Sequence, residues 1–382
     1  MNKNKCIIIS LMSGSPWGGS EELWYRVAKC ALEENRDVII SIKKWNSRNV
    51  KIDYLEKSGA KIIQRVEAPK KFLNILFKKV LNKFFGKLKS KTWNWIDPKF
   101  KGTVLLNLGG PDDFLAHNDL IEYLNFNRIN YSVIQQFNFE NIIYNEYDRR
   151  IVKLFYSNAK NAYFVSKRNL DTTERSICKK LENARIISNP ANLSEIELIP
   201  FPQQMDQINF ACVARLDCMF KAQDILLSVL GNDKWLKRDW KLNFYGEGKD
   251  LEYLKELVNF YKLNSRVYFH GHVNNVESIW KNNHILILPS LAEGTPLALI
   301  EAMVCGRPSI VSDVGGNTEL IEDGISGFIV SNSSVKQLDL ALENAWQQKG
   351  SWGQMGFEAR KAVLEKIDFE SYKLIYNNAI KN

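Results

Sequence analysis

Short apolar runs alternate along this chain with stretches whose apolar residues recur every three or four positions. Ile7–Met12, Val38–Ile42, Lys61–Val66, Val104–Leu108, Tyr131–Gln135, Ala162–Val165 and Arg185–Ile187 have the length and β-branched content of buried strands. Helical periodicity fills the gaps, notably over Glu21–Glu33, Asp113–Leu124 and Lys167–Lys179. After a proline-bearing break between Pro190 and Pro202 the rhythm resumes. Strands are predicted at Asn209–Ala214, Lys241–Tyr245, Arg266–His270, His284–Leu288, Ser309–Ser312 and Gly327–Val330. Helices are predicted at Ala222–Leu230, Leu251–Leu263, Pro296–Cys305 and Val335–Gln347. Strand–helix–strand alternation implies parallel, doubly wound sheets, so the expectation is α/β with two Rossmann-like domains facing a central cleft. The division expected is 1–190 for the first domain, 191–207 for a linker, 208–365 for the second domain and 366–382 for a C-terminal helix returning to the first.

Composition narrows the class. At 382 residues, with 45% hydrophobic and 25% charged side chains, the chain can bury two cores and is neither disordered nor fibrous. The six cysteines contain no Cys-x-x-Cys pair, which fits a reducing cytosol. The apolar start runs directly into the glycine-rich stretch Ser13–Ser20 and reads as a first strand rather than a leader, and no apolar run reaches the length of a membrane span. The net charge of +9 is concentrated in Lys70–Lys91, which holds eight lysines and no acid beside an apolar stripe of Phe72, Leu73, Leu76, Val80, Phe84 and Leu88. That pattern suits an anionic membrane surface, with a helix packed on its own domain as the alternative. No base-reading or base-stacking module accompanies it, so nucleic acid is not an expected partner.

The second half carries the chemistry. Leu288–Glu301 reads as a strand, a loop and the opening of a helix, with Thr295 as its expected N-cap and Pro296 as its first residue. Gly294 precedes them, and the amides of Leu297 and Ala298 with the helix dipole suit a diphosphate. Glu293 and Glu301 bracket that anion site with carboxylates able to accept from sugar or ribose hydroxyls. Arg215 and Lys221 follow the first strand of this domain and can neutralise a diphosphate, while Gly246 and Gly248 allow close backbone approach after the next strand. Gly315–Gly316 before Glu319 forms a further loop at the same edge. His270 and His284 fall in strands and read as core residues. Asp112 and Asp113 read as a helix cap, and Trp17 and Trp24 as core residues rather than a stacking platform.

These residues in this order, Arg215 with Lys221, Gly246-Glu247-Gly248, Glu293-x7-Glu301 and Gly315-Gly316 before Glu319, resemble the donor domain of family-4 retaining glycosyltransferases (glycosyl transferases group 1) with the GT-B fold. The resemblance covers about 209–330. It is weaker in the first domain, where Gly18-Gly19-Ser20-Glu21 and Phe164-Val165-Ser166 with Ser188-Asn189-Pro190 carry it. It implies a hexosyl or related transferase moving sugar from a nucleotide diphosphate to a hydroxyl of a saccharide or polyprenyl-linked acceptor, in surface polysaccharide assembly. It implies further that Arg215 and Lys221 hold the diphosphate, Glu301 the ribose and Glu293 the transferred sugar. Gly18 and Gly19 would let the first-domain loop approach the donor, and the base would rest near His272 and Val273. No cofactor is expected beyond a UDP- or GDP-sugar co-substrate.

A D-x-D triplet and metal-spaced His/Cys clusters are missing from the chain, so metal-independent catalysis is expected, with a cytoplasmic site at the inner membrane face. The family's usual first-domain histidine is also missing from Val133–Asn138. Gln136 or Asn138, and nearby His117, are the candidate sugar or acceptor contacts. A sugar-nucleotide epimerase is disfavoured by the scarcity of histidines. A sugar-nucleotide-binding scaffold without turnover remains the alternative.

Overall fold

The computed structural model describes residues 5–66, 91–193, 195–203 and 206–381. Most of the Lys70–Lys91 stretch lies outside the described residues. The apolar runs form two parallel sheets. The first contains β1 (Lys5–Ser10), β2 (Asp37–Lys43), β3 (Lys61–Arg65), β4 (Thr103–Leu108), β5 (Asn130–Gln135), β6 (Ala162–Phe164) and β7 (Ala184–Ile186), ordered β3-β2-β1-β4-β5-β6-β7. The second contains β8 (Ile208–Val213), β9 (Trp240–Tyr245), β10 (Val267–Phe269), β11 (Ile285–Leu288), β12 (Ser309–Ser312) and β13 (Phe328–Val330), ordered β10-β9-β8-β11-β12-β13. In each sheet the order reverses at the first strand, between β1 and β4 and between β8 and β11. Open α/β sheets bind ligands at the carboxyl ends of such strands.

The first sheet is flanked by helices α1 (Glu22–Glu33), α2 (Val50–Lys57), α3 (Asn118–Phe126), α4 (Glu146–Asn158) and α5 (Lys167–Ile177). The second is flanked by α6 (Gln223–Leu230), α7 (Leu251–Phe260), α8 (Val276–Asn282), α9 (Leu297–Val304), α10 (Val335–Gln347) and α11 (Trp352–Lys366), and α12 (Ser371–Ile375) follows. The continuous helix expected over Asp113–Leu124 is instead a 3-10 turn, Asp113–His117, followed by α3. Asp113 explains the break. Its carboxylate accepts from the amides of Gly109 and Gly110, both at 2.9 Å, so it ties down the preceding loop and does not cap the helix.

Each sheet buries apolar residues on both faces, which is why its strands are continuous hydrophobic runs. The last residues cross back to the first domain. Ile375, Tyr376, Ala379 and Ile380 join the cluster of Trp24, Val27 and Ile40, and Tyr376 Oη donates to Glu34 Oε2 at 2.8 Å. Among the described residues no helix is long and apolar enough to cross a membrane. His284 is buried as expected, but His270 is exposed. Its ring stacks on Tyr245 at 4.6 Å, at the sheet edge where β10 ends.

Candidate active site

Two loops at the β8/β11 reversal bring the second domain's charged residues together. Beyond β8 a single helical turn, Cys218–Lys221, ends at Ala222 in the left-handed conformation, and Phe220 O accepts from the amides of Leu291 and Ala292 in the loop beyond β11. Lys221 is thereby held against that loop. Its Nζ donates to Glu293 Oε1 at 2.5 Å, and Ser290 Oγ donates to the same oxygen at 2.7 Å. Glu293 is 6% exposed, so this is a nearly enclosed ion pair.

Arg215 lies beside it, 3.5 Å from Asp217 and over the ring of Phe220. It reaches across the cleft. A Cβ added to Gly14 would lie 2.6 Å from Arg215 Nη1. Gly246, at φ +137°, and Gly248 fold their loop onto Arg215's own segment, where added Cβ atoms would meet Ala214 O and Leu216 O at 2.1 Å. Their visible role is to seat that segment.

The helix start differs from the sequence expectation. Pro296 is the N-cap, with ψ 131°, and Leu297 is the first helical residue. Thr295 does not cap because its hydroxyl is taken: it donates to Val165 O of the first domain at 2.6 Å, and Thr295 O accepts from Asn189 Nδ2 at 2.9 Å. Leu297 and Ala298 supply the first amides of α9, and Gly19 of the first-domain loop packs on Leu297. Gly18 sits beside Gly19 with extended backbone, at φ −163°. Gly294 is pressed between domains, since an added Cβ would lie 1.8 Å from Gln136 O.

Glu301 does not stand open in the cleft. It is 4% exposed, its Oε1 accepts from Asn192 N of the linker at 3.0 Å, and burial pushes its carboxyl up to about 7. Asn192 in turn accepts from Lys51, which is paired with Glu22 at 2.6 Å. Asn138 is drawn into the first domain, where its Nδ2 donates to Thr173 Oγ1 at 2.8 Å, because α5 packs behind it. His117 packs edge-on against Trp93. Gln136, by contrast, abuts the Glu293 loop. Trp24 is core, as expected, while Trp17 is half-buried and donates to Glu22.

Two carboxylates stand in the sequence motifs without a role assigned to either. Glu21 is buried at the foot of α1, pushed up to about 7 by burial, and accepts from Ser10, Trp24 and Asn107. Its only sequence signal was its place directly behind Gly18-Gly19. Glu319 reaches from the second domain to the first turn of α5, accepting from the amides of Lys167 and Arg168 at 3.1 and 2.9 Å. Arg168 also joins the halves, pairing with Glu140 and with Asp313.

Residues 196–362 match the family model of glycosyl transferases group 1. That segment is thus similar to glycosyl transferases group 1. N-acetyl-alpha-D-glucosaminyl L-malate synthase of Bacillus anthracis is 30% identical over 149 residues, 38% of this chain and 39% of that one. An uncharacterized glycosyltransferase of Haemophilus influenzae is 33% identical over 130 residues, 33% of this chain and 37% of its own. The chain thus matches about two fifths of the length of these relatives, and each match is shorter than the segment that fits the family model. At the level of the fold, Anabaena HepE, solved with UDP and glucose, superposes with a TM-score of 0.70 at 16% identity over 97% of both chains. Staphylococcus aureus TarM superposes with 0.70 at 13% identity over 99% of both. The whole chain has the GT-B fold, two Rossmann-like domains of which the second contains most of the matched segment.

Proposed function

We propose that this protein is a retaining glycosyltransferase that moves a hexosyl or related sugar from a nucleoside-diphosphate donor to a hydroxyl of a saccharide or lipid-linked saccharide, in surface polysaccharide assembly. The observation that carries the reading is the enclosed Lys221–Glu293 pair, set beside Arg215 and the start of α9 where the first-domain Gly14–Gly19 loop meets them. Arg215, Lys221 and the α9 amides hold the diphosphate as its charge grows, and Glu293 accepts from hydroxyls of the sugar. In the transfer the anomeric carbon–oxygen bond to phosphate breaks and a bond to the acceptor oxygen forms on the same face. The acceptor's proton passes to the departing phosphate oxygen, so the protein's task is charge stabilisation and alignment. Glu301 meets the ribose once the linker amide of Asn192 yields it. UDP-glucose and UDP complexes of HepE support a uridine donor, with GDP-sugars as the next class to try.

Incubation with UDP-, GDP- and ADP-sugars, scored by ligand-induced rise in melting temperature and by nucleotide release with and without chelator, tests the reading. Turnover with the anomeric configuration kept, unaffected by chelator, is expected. Inversion of configuration, or no nucleotide sugar bound, overturns it. The scaffold alternative draws on Gln136 standing where the family has a histidine, and it fails if Glu293→Ala abolishes turnover while donor binding survives. The lysine stretch supports a peripheral site on an anionic cytoplasmic leaflet, since its charge and apolar stripe suit such a surface.

A further inference from the structure

At the carboxyl ends of β1, β4 and β5 a directed chain of hydrogen bonds runs through buried side chains. Trp24 Nε1 donates to Glu21 Oε2 at 2.8 Å. Ser10 Oγ and Asn107 Nδ2 donate to Glu21 Oε1 at 3.0 and 3.1 Å. Gln136 Nε2 then donates to Asn107 Oδ1 at 3.2 Å. Glu21 and Gln136 are each 4% exposed and Asn107 is 0% exposed.

The direction of this chain follows from its members. An indole nitrogen only donates, and above about pH 7, where Glu21 is ionised, its carboxylate accepts at both oxygens, so Asn107 must present its NH2 to Glu21. Its carbonyl therefore faces Gln136, which must present its own NH2. What remains at the far end is Gln136 Oε1, buried and without a hydrogen-bond partner among the described residues. A buried carbonyl left unmatched is costly and marks a place where a donor belongs. The backbone carbonyl of Gln136 also abuts Gly294, directly after Glu293, together with the Val165 side chain. Among the described residues, Glu22, next in the chain, and Arg65, whose Nη2 donates to Ser10 O at 2.6 Å, act on the charge of Glu21, and Lys43 lines the same small cavity.

We propose that Glu21 is a positioning residue: through Asn107 it holds the Gln136 side chain with its carbonyl oxygen outermost, as the acceptor for a hydroxyl hydrogen of the transferred sugar. This rests on the glycosyl-transfer reading above. Fixing an acceptor opposite Glu293 places hydroxyl-binding oxygens on both walls of the cleft, one from each domain.

The chain's polarity supplies the test. In Glu21→Gln the amide oxygen must stay with the Trp24 N–H, which turns the new NH2 toward Asn107. Asn107 then reverses, and so does Gln136, which now presents NH2 outward. Turnover should fall at least tenfold, while the Kd for the free nucleoside diphosphate, which has no sugar, stays within twofold. A histidine at 136 donates or accepts according to its tautomer, so in a Gln136→His background the same change should cost less than threefold. A residue that merely supports the fold would cost the same in both backgrounds, and that result overturns the proposal. Gln136→Met guards against a Glu21 variant that fails to fold: turnover lost with the melting temperature kept supports the proposal, and unchanged turnover overturns it. No turnover in the unaltered protein removes the glycosyl-transfer reading and this inference with it, whereas normal turnover with an indifferent Glu21→Gln removes this inference alone.

Discussion

Lys221 Nζ and Glu293 Oε1 are 2.5 Å apart, and the carboxylate is nearly enclosed, so each charge is neutralised by the other in the unliganded cleft. On the proposed glycosyl-transfer reading, a diphosphate arriving beside Lys221 would compete for the ammonium and free Glu293 to accept from sugar hydroxyls. Lys221→Ala should lower turnover by about 10²-fold. It should also cost roughly 2 kcal/mol of stability, because Glu293 keeps only the Ser290 hydroxyl in a site with little water. Steady-state kinetics and urea unfolding check the two effects separately. Unchanged kinetics would remove Lys221 from the diphosphate site.

Glu21 and Glu301 are both pushed from 4.5 up to about 7 by burial. In this window the folded chain holds protons that the unfolded chain has released. Their contribution to stability is therefore full below about pH 4.5 and is lost as pH rises through about 7. Urea midpoints should fall between pH 5 and pH 8, with the unfolding free energy dropping by on the order of 2 kcal/mol per group. In Glu301→Gln the slope should be visibly shallower. A rising midpoint over this range would contradict the assignment.

Gly294→Ala puts a methyl group 1.8 Å from Gln136 O, and neither backbone can give way cheaply. The two halves must separate locally, which misaligns groups drawn from both walls. At least a tenfold loss in kcat/KM is expected, with a stability loss of about 1–3 kcal/mol. Paired kinetics and unfolding measurements decide it, and full activity would show that the walls need not meet here.

Replacing four lysines between Lys70 and Lys91 with Gln should weaken binding to anionic vesicles by several kcal/mol, at ~1 kcal/mol for each charge. Sedimentation with phosphatidylserine-containing vesicles measures this. Equal binding would return the segment to the role of a helix packed on its own domain.

Most of the scaffold was legible because parallel strands buried on both faces are compact apolar runs. Ser309–Ser312 and Val335–Gln347 fall where their patterns placed them. Local signals failed where distant partners intervene. Thr295 has the chemistry of a helix cap, but Val165, 130 positions earlier, claims its hydroxyl. Glu319 satisfies amides about 150 residues away, and nothing near it in the chain announces that role. His270 looked interior because its neighbours are apolar, yet it ends an edge strand. The helix Trp352–Lys366 carries a stripe, with Trp352, Met355, Ala359 and Val363 buried, although no helix is predicted there from the sequence. Glu21 stood in plain view behind two glycines, and only burial distinguishes it from the solvent-facing acids common in a first helical turn.

The return of the C-terminal residues to the first sheet means that two strands of backbone, not one, tie the halves together. A body tethered at two points swings about the line between them, so any relative motion of the halves would be confined to a single rotation rather than a free tumble. Cutting the tail would release that pivot and bare the apolar patch of Trp24, Val27 and Ile40 at the same stroke.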